Sequence, residues 1–270
     1  MHLALLDIDA TNLPKAKEDL ASSSTNASLK TEAYTIDVGD KSQWDTVAPR
    51  VKATFPSVDL VLLNAARMAK PKSSDPWVDN ADYWRQIFDT NVFGPINSIS
   101  ALLPLLKSDK SPKSIVITGS KQGITNPPGA GNLAYNSTKG AIKILTEHLA
   151  HDLRSNDATS HISAHLLVPG WTFTGLSGNI GPTDERQIQK PNGAWAPNQV
   201  AEELEKALQR GSFYVISLDD DVDRALDQAR MQWGTGDILE DRPALSRWDV
   251  EWKGKAEKAI QDDAKRRRGE

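Results

Sequence analysis

Cysteine is absent from all 270 residues. That excludes disulfides, thiolate nucleophiles and Cys-based zinc sites, and it is compatible with the reducing cytoplasm. No apolar run approaches the ~18 residues that a membrane span requires. The opening "MHLALLDIDATNL" turns acidic after a few apolar residues and has no basic leader, so it does not read as a signal peptide. Net charge is only −4 and there is no long basic stripe, which disfavours nucleic acid as the main partner. The five histidines show neither HxxxH spacing nor an acid-flanked cluster, so no metal site is expected. No repeat recurs at solenoid periods. What is present is a hydrophobic content of 39%, enough for a core, in a length that suits one large domain or two small ones. The chain is expected to be soluble, and its basic tail "DDAKRRRGE" reads as a solvated terminus.

Short apolar runs alternate with longer helical patterns. Strands are expected at 3–8, 33–38, 58–65, 114–120, 162–170 and 212–217, with helices between them, one around 43–54. Near-continuous apolar strands separated by helices imply an α/β fold, a parallel sheet covered on both faces. Between the third and fourth strands Trp84, Ile87, Phe88, Asn91 and Val92 recur at helical spacing, which puts Asn91 on the buried stripe. Pro95 should kink or interrupt that helix. Residues 171–197, rich in Gly, Pro, Thr and Asn, read as a mobile loop able to act as a lid, bracketed by Trp171 and Trp195. No linker splits the chain. Residues 1–217 read as one α/β domain, and 218–270, with Trp233, Trp248 and Trp252, as a helical extension packed on it or on a partner subunit.

Ligands of an open parallel sheet bind beyond the carboxyl ends of its strands. The polar residues there are Asp7, Asp37, Asn64, Ser120 and the corner 169–174. Just after Ser120, Tyr135 and Lys139 stand four apart on one helix face. A phenol titrates near ~10, too high for efficient proton exchange at neutral pH, and a neighbouring ammonium favours the phenolate. The turn at 121–134 can fold the Ser120 hydroxyl back towards that phenol. Such a pair suits a carbonyl or carbinol oxygen, held by the serine while the tyrosine gives or takes its proton. Each residue also has a plainer reading. Tyr135 and Lys139 could be solvated helix surface, Asn91 a cap for the Pro95 kink, Ser120 a turn cap, and Thr174 a turn residue. Asp7 could belong to a helix N-cap, a job for which Asp9 and Thr11 compete.

Together these motifs resemble the short-chain dehydrogenase/reductase family. The resemblance rests on Ser120 in "ITGSKQG", Tyr135 and Lys139 in "YNSTK", and Asn91 in "FDTNVFGPI". Asn64 and Ala65 in "LNAA" stand where the family has Asn-Asn-Ala-Gly, and Pro169, Gly170 and Thr174 in "PGWTFT" match its Pro-Gly-x-x-x-Thr corner. Asp7 matches the acid ending the family's second strand, and Asp37 with Val38 the Asp-Val after its third. The likeness runs from the first residues to about 216 and implies a Rossmann-like fold. It implies hydride transfer between a nicotinamide cofactor and a small, fairly apolar alcohol or ketone. In that scheme Tyr135 is the general acid/base, Ser120 orients the substrate oxygen, and Lys139 lowers the phenol pKa and holds the nicotinamide ribose. Asn91 anchors a proton-relaying water. Pro169, Thr172 and Thr174 lie near the carboxamide, and Asp37, Val38 and Asn64 line the adenosine side. Asp7 favours NAD over NADP, because a carboxylate there accepts hydrogen bonds from a ribose 2′-hydroxyl and repels a 2′-phosphate. Homo-oligomers are implied as well.

One family feature has no counterpart. The family opens with a strand and the turn Thr-Gly-x-x-x-Gly-x-Gly, whose amides cradle the pyrophosphate. Here the first strand matches the family's second, and "GAGNLA" at 129–134 and "GTGD" at 234–237 sit in other contexts. The missing strand is central in the order 3-2-1-4-5-6. Either the halves of the sheet close up, or the first two strands are weakly anchored. Either a leading unit of roughly 30 residues precedes this start, or the chain is a cofactor-deficient remnant with a binding or scaffold role. The same tyrosine could also serve a dehydration or isomerisation.

Overall fold

The structure, a computed structural model, describes residues 1–26, 28–72, 75, 77–78, 80–129, 133–179, 181 and 183–270. Three positions of the turn read at 121–134 and two of the loop read at 171–197 lie outside the described residues. Strand β1 (Leu3–Asp7) leads through α1 (Leu13–Ser23) to β2 (Thr31–Thr35), and α2 (Lys41–Thr54) crosses to β3 (Leu60–Leu63). Then α3 (Ala81–Phe88), a π-helical turn (Asp89–Phe93) and α4 (Gly94–Leu106) run end to end towards β4 (Lys113–Thr118). A short α5 (Gln122–Thr125) and the long α6 (Leu133–Arg154) precede β5 (Ile162–Val168). Helix α7 (Pro197–Gln209), β6 (Tyr214–Ile216), α8 (Arg224–Leu239) and α9 (Lys253–Arg268) complete the order.

All strand pairs are parallel, and helices cover them, as the apolar strand runs imply. Val116, Ile117 and Val168 on the inner strands β4 and β5 are fully buried, which is why those runs carry no alternation. The observed strands are shorter than the apolar runs by one to four residues. Their last polar residues leave the ladder and become the loops that carry the site.

Pro95 does not break the helix. It falls in the first turn of α4, where a missing amide has no bond to lose. The Gly94 amide reaches back five residues to the Asp89 carbonyl, so the expected kink is one π turn. Gly94 is needed there: a Cβ would stand 2.8 Å from Cγ2 of Val38.

The sheet is in two parts. Strands β1 and β2 pair with each other, while β3, β4, β5 and β6 form a second sheet in that order. The halves have not closed up. A groove of about 240 Å³ lies between β1 and β3, walled by Ala4 and Leu6 on one side and by Leu60 to Leu63 on the other. The small sheet is held through its helices instead. Tyr34, Ile36, Trp44, Val47 and Val51 share one apolar core with Leu102, Leu105, Leu106 and Ile115. The Trp44 indole and the Asn97 amide both donate to the Val38 carbonyl, at 3.1 and 3.2 Å.

Beyond β6, Leu226, Ala229, Ile260 and Ala264 give α8 and α9 a small core of their own. Asp227 ties this pair to the sheet through an ion pair of 2.6 Å with Lys121. Among the described residues no helix is long and apolar enough to cross a membrane, and no group of three or more His, Asp or Glu could hold a metal ion.

Candidate active site

Ser120 lies two residues beyond the end of β4, and Tyr135 and Lys139 lie in the first turns of α6. What joins them is Gly123. A Cβ on it would sit 2.5 Å from the Lys139 carbonyl carbon, so only glycine lets α5 press its backbone against α6. Asn126, in the left-handed region at φ 47°, ends α5. The Asn136 amide then donates to the Asn126 side chain and the Pro127 carbonyl, at 3.1 and 3.0 Å. The serine turn is thereby clamped to the tyrosine helix.

Ser120, Tyr135 and Lys139 line one cavity of about 590 Å³. Asp7 and Asn64 enter it from the ends of β1 and β3, and Pro169, Thr172 and Thr174 from the corner after β5. Its remaining wall is largely apolar, with Leu62, Leu167, Leu176, Val200 and Leu204. Tyr135 is 8% exposed and Lys139 3%. The Lys139 ammonium donates to the Thr118 carbonyl at 2.7 Å and stands 5.5 Å from the Tyr135 ring centroid. The Thr118 hydroxyl donates in turn to Asn64 at 3.0 Å.

The electrostatics differ from the expectation that Lys139 depresses the phenol. Burial pushes the Tyr135 pKa up, and the Ser120 hydroxyl beside it pulls the other way. Burial also pushes Lys139 down, to about 8. The physical reason is shared desolvation, which disfavours phenolate and ammonium alike, while the ammonium spends its one protein bond on a backbone carbonyl.

Three expected site residues stand elsewhere. Asn91 is buried outside the cavity lining, and its amide is fully engaged. It accepts from the Arg67 amide at 2.7 Å and donates to the Arg67 carbonyl at 3.0 Å and the Thr138 hydroxyl at 3.1 Å. Its side chain splices the loop after β3 onto α6, with both amide hydrogens engaged. Asp37 accepts from the Gly39 amide at 2.9 Å and shapes the turn into α2. Val38 packs against Gly94 and faces the groove between the sheets. Both miss the cavity because β2 ends at Thr35 and the chain turns away. Asp7 bonds the Asp9 amide at 2.9 Å, while Asp9, not Asp7, takes the amides of Thr11 and Asn12 before α1.

Two contributors escaped the sequence reading. Lys121 pairs with Asp219 at 3.3 Å and with Asp227 at 2.6 Å. Asp219 also accepts from the Trp171 amide at 3.2 Å. A Cβ on Gly170 would collide with the same Asp219 carboxylate. This network locks the Pro169 corner to the serine turn. Its only advance signals were a cation next to Ser120 and the acidic run 219–221 after the last strand. The second is Thr118, which bridges Asn64 and Lys139.

The residues present fit part of a nicotinamide dinucleotide. Lys139 has three N–H donors and one acceptor among the described residues, so two donors are free for ribose hydroxyls. The Asp7 carboxylate in the cavity suits a second ribose. Among the described residues the start of α1 offers little to a diphosphate. At the start of α1 the amides of Thr11 and Asn12 already serve the Asp9 carboxylate, and Pro14 in the first turn has no amide. A helix start so furnished has few free amides for an anion.

The short chain dehydrogenase family matches this chain over residues 1–185. A benzil reductase ((S)-benzoin forming) of Saccharomyces cerevisiae is 27% identical over 150 residues, 55% of this chain and 55% of the yeast protein. An uncharacterised oxidoreductase of Staphylococcus aureus is 26% identical over 173 residues, 64% of this chain and 67% of that protein. The chain thus spans about half the length of the yeast relative it matches. A short-chain dehydrogenase/reductase of Burkholderia phymatum, solved in complex with NAD, superimposes with a TM-score of 0.73 at 25% identity, covering 90% of this chain and 86% of that one. An alcohol dehydrogenase of Thermococcus sibiricus, complexed with 5-hydroxy-NADP, shares the fold with a TM-score of 0.65 at 17% identity. With its strand-end residues gathered at one cavity and the family matched over residues 1–185, this chain belongs to the short-chain dehydrogenase family.

Proposed function

We propose that the chain is a nicotinamide-dependent oxidoreductase acting on a small, largely apolar alcohol or ketone. The observation that carries this reading is the meeting of Ser120, Tyr135 and Lys139 at one cavity with an apolar far wall. A bound nicotinamide supplies the hydride acceptor or donor. The protein's own residues do the rest. Ser120 donates a hydrogen bond to the substrate oxygen and fixes it beside Tyr135, whose phenol gives that oxygen a proton in reduction and takes it back in oxidation. The two free donors of Lys139 hold ribose hydroxyls, and its charge offsets the phenolate left after the proton has gone. Thr172 and Thr174 border the same end. Asp7 favours NAD over NADP, since its carboxylate accepts from a free 2′-hydroxyl and repels a phosphate there.

Nicotinamide fluorescence on titration with NADH and NADPH, followed by carbonyl reduction assays with aromatic and aliphatic ketones, tests the reading. NADH should bind in preference to NADPH. Tyr135→Phe should abolish turnover while leaving the fold and NADH binding intact, and equal activity in that variant contradicts the assigned role. A second reading is favoured by the divided sheet and by the engaged amides at the start of α1: a family member that keeps the cavity for binding and lacks turnover. It takes over if neither dinucleotide binds saturably.

A further inference from the structure

The C-terminal helices, outside the family match, enclose a second cavity of about 410 Å³. Ile124 of α5 forms one side, Trp233 and Ile238 of α8 another, and Trp248 of the turn before α9 a third. Two guanidinium groups, Arg230 and Arg247, line it together. The Arg230 Nε is buried and has no hydrogen-bond partner. Arg247 lies over the Trp248 ring at 4.9 Å and forms no ion pair among the described residues.

Acids are near, and they are already used. Asp237 lines the cavity but serves the Ser246 hydroxyl at 2.6 Å, the Ser246 amide at 3.1 Å and Arg242 at 3.1 Å. Asp227, one turn before Arg230, faces Lys121 at 2.6 Å. Arg267 and Arg268 have Asp263 and Asp223 as partners. The extension pairs Arg242, Arg267 and Arg268 with those acids, while Arg230 and Arg247 form no ion pair among the described residues and Asp227, the acid whose charge Arg230 feels, is held by Lys121. Burial and the charge of Arg230 both push the Arg247 pKa down. Two like charges held half-buried beside an orphaned donor are costly unless an anion completes them.

We propose that this cavity binds a small organic carboxylate, its oxygens bridging Arg230 and Arg247 and its apolar body lying between Trp233 and Trp248. Paired guanidiniums match the planar, two-oxygen geometry of a carboxylate. Arg242 covers one face of Trp233 at 3.8 Å, and the indole surface that still lines the cavity, with Ile124 and Ile238, selects an anion that carries a hydrophobic body. Ile238 is exposed and leaves an apolar rim at the cavity mouth. The site is independent of the proposed oxidoreductase activity, though α5 separates it from Lys139 by the backbone contact at Gly123.

The test is calorimetric titration of the full chain with sodium benzoate, benzamide and inorganic phosphate, repeated on Arg230→Gln and Arg247→Gln. Benzoate should bind saturably, benzamide should not, and phosphate should bind more weakly than benzoate. Each variant should lose roughly tenfold or more in benzoate affinity, as expected when one charge-assisted hydrogen bond is removed. Should Arg230→Gln fail to fold, Arg247→Gln and the benzoate–benzamide contrast in the unaltered chain still decide. Tyr135→Phe should bind benzoate as the parent does, which keeps this result separate from the fate of the active-site reading. Equal binding of benzoate and benzamide, phosphate binding as tightly as benzoate, or undiminished affinity in both arginine variants overturns the proposal. So does concentration-dependent dimerisation that the arginine substitutions abolish, because the cavity would then be a face for a second copy.

Discussion

Lys139 can be tested through stability alone, without any knowledge of the substrate. Its pKa is about 8 in the folded chain against an ordinary 10.5, and burial is the cause. The folded state therefore sheds the proton before the unfolded state does. The cost of burying the charge is fully present below about 8 and fades as pH rises towards 10.5. At 1.36 kcal/mol per pKa unit that cost is about 3 kcal/mol at pH 7, and most of it is relieved by pH 10. Lys139→Met removes the charge and keeps an unbranched apolar chain. It also takes the donor from the Thr118 carbonyl, worth about 1.5–3 kcal/mol, so the net change at pH 7 lies between about zero and 1.5 kcal/mol of gain. The pH dependence has the firmer sign. Urea melts of the parent and the methionine variant at pH 7, 8, 9 and 10 should show the parent gaining on the variant by about 2–3 kcal/mol across the range. A stability difference that stays flat over that range means that the buried ammonium is not strained, and the electrostatic account of the site fails.

Gly123→Ala should put a methyl against the Lys139 backbone and lower stability by about 1–3 kcal/mol; a thermal melt within a degree of the parent would show that α5 can lift away freely. Asn91→Ala strips the Arg67 amide and carbonyl of their partner and should cost about 2–4 kcal/mol in urea, and a loss below ~0.5 kcal/mol would mean that the loop after β3 finds other bonds. Asp7→Asn keeps an oxygen for the Asp9 amide while removing the charge, so NADPH affinity should rise relative to NADH in fluorescence titration. An unchanged ratio would remove Asp7 from cofactor choice.

Much of the fold was legible because apolar runs such as 114–120 and 162–170, bounded by turn residues, read as strands buried on both faces. Tyr135 and Lys139 were legible less from their spacing, which also suits a solvated helix face, than from their place after Ser120 among motifs in family order. Spacing could not reveal that a Gly123 backbone contact is what brings Ser120 to them, since close approach of two backbones leaves no periodic signature. Nor could it reveal that Asp37 and Val38 turn away, which depends on where β2 leaves the ladder. The Lys121–Asp219–Asp227 network joins positions about a hundred residues apart, and only the tertiary fold makes it a unit. Pro95 marked the place of the interruption but not its form: the helical run is interrupted there by one π turn and restarts at Gly94.

The divided sheet sets an order of opening. A two-stranded ribbon is marginal by itself, and β1–β2 is attached through α2, α4 and two bonds to one carbonyl rather than by a ladder to β3. Amide protons of β1 and β2 should thus exchange with solvent well before those of β4 and β5, as a separate cooperative unit. When that unit lifts, it uncovers the free edge of β3, where Leu60 and Leu62 are already 38% and 49% exposed. An unpaired apolar edge of that kind templates β-pairing between molecules, so handling this protein at high concentration is a matter of keeping one small ribbon in place.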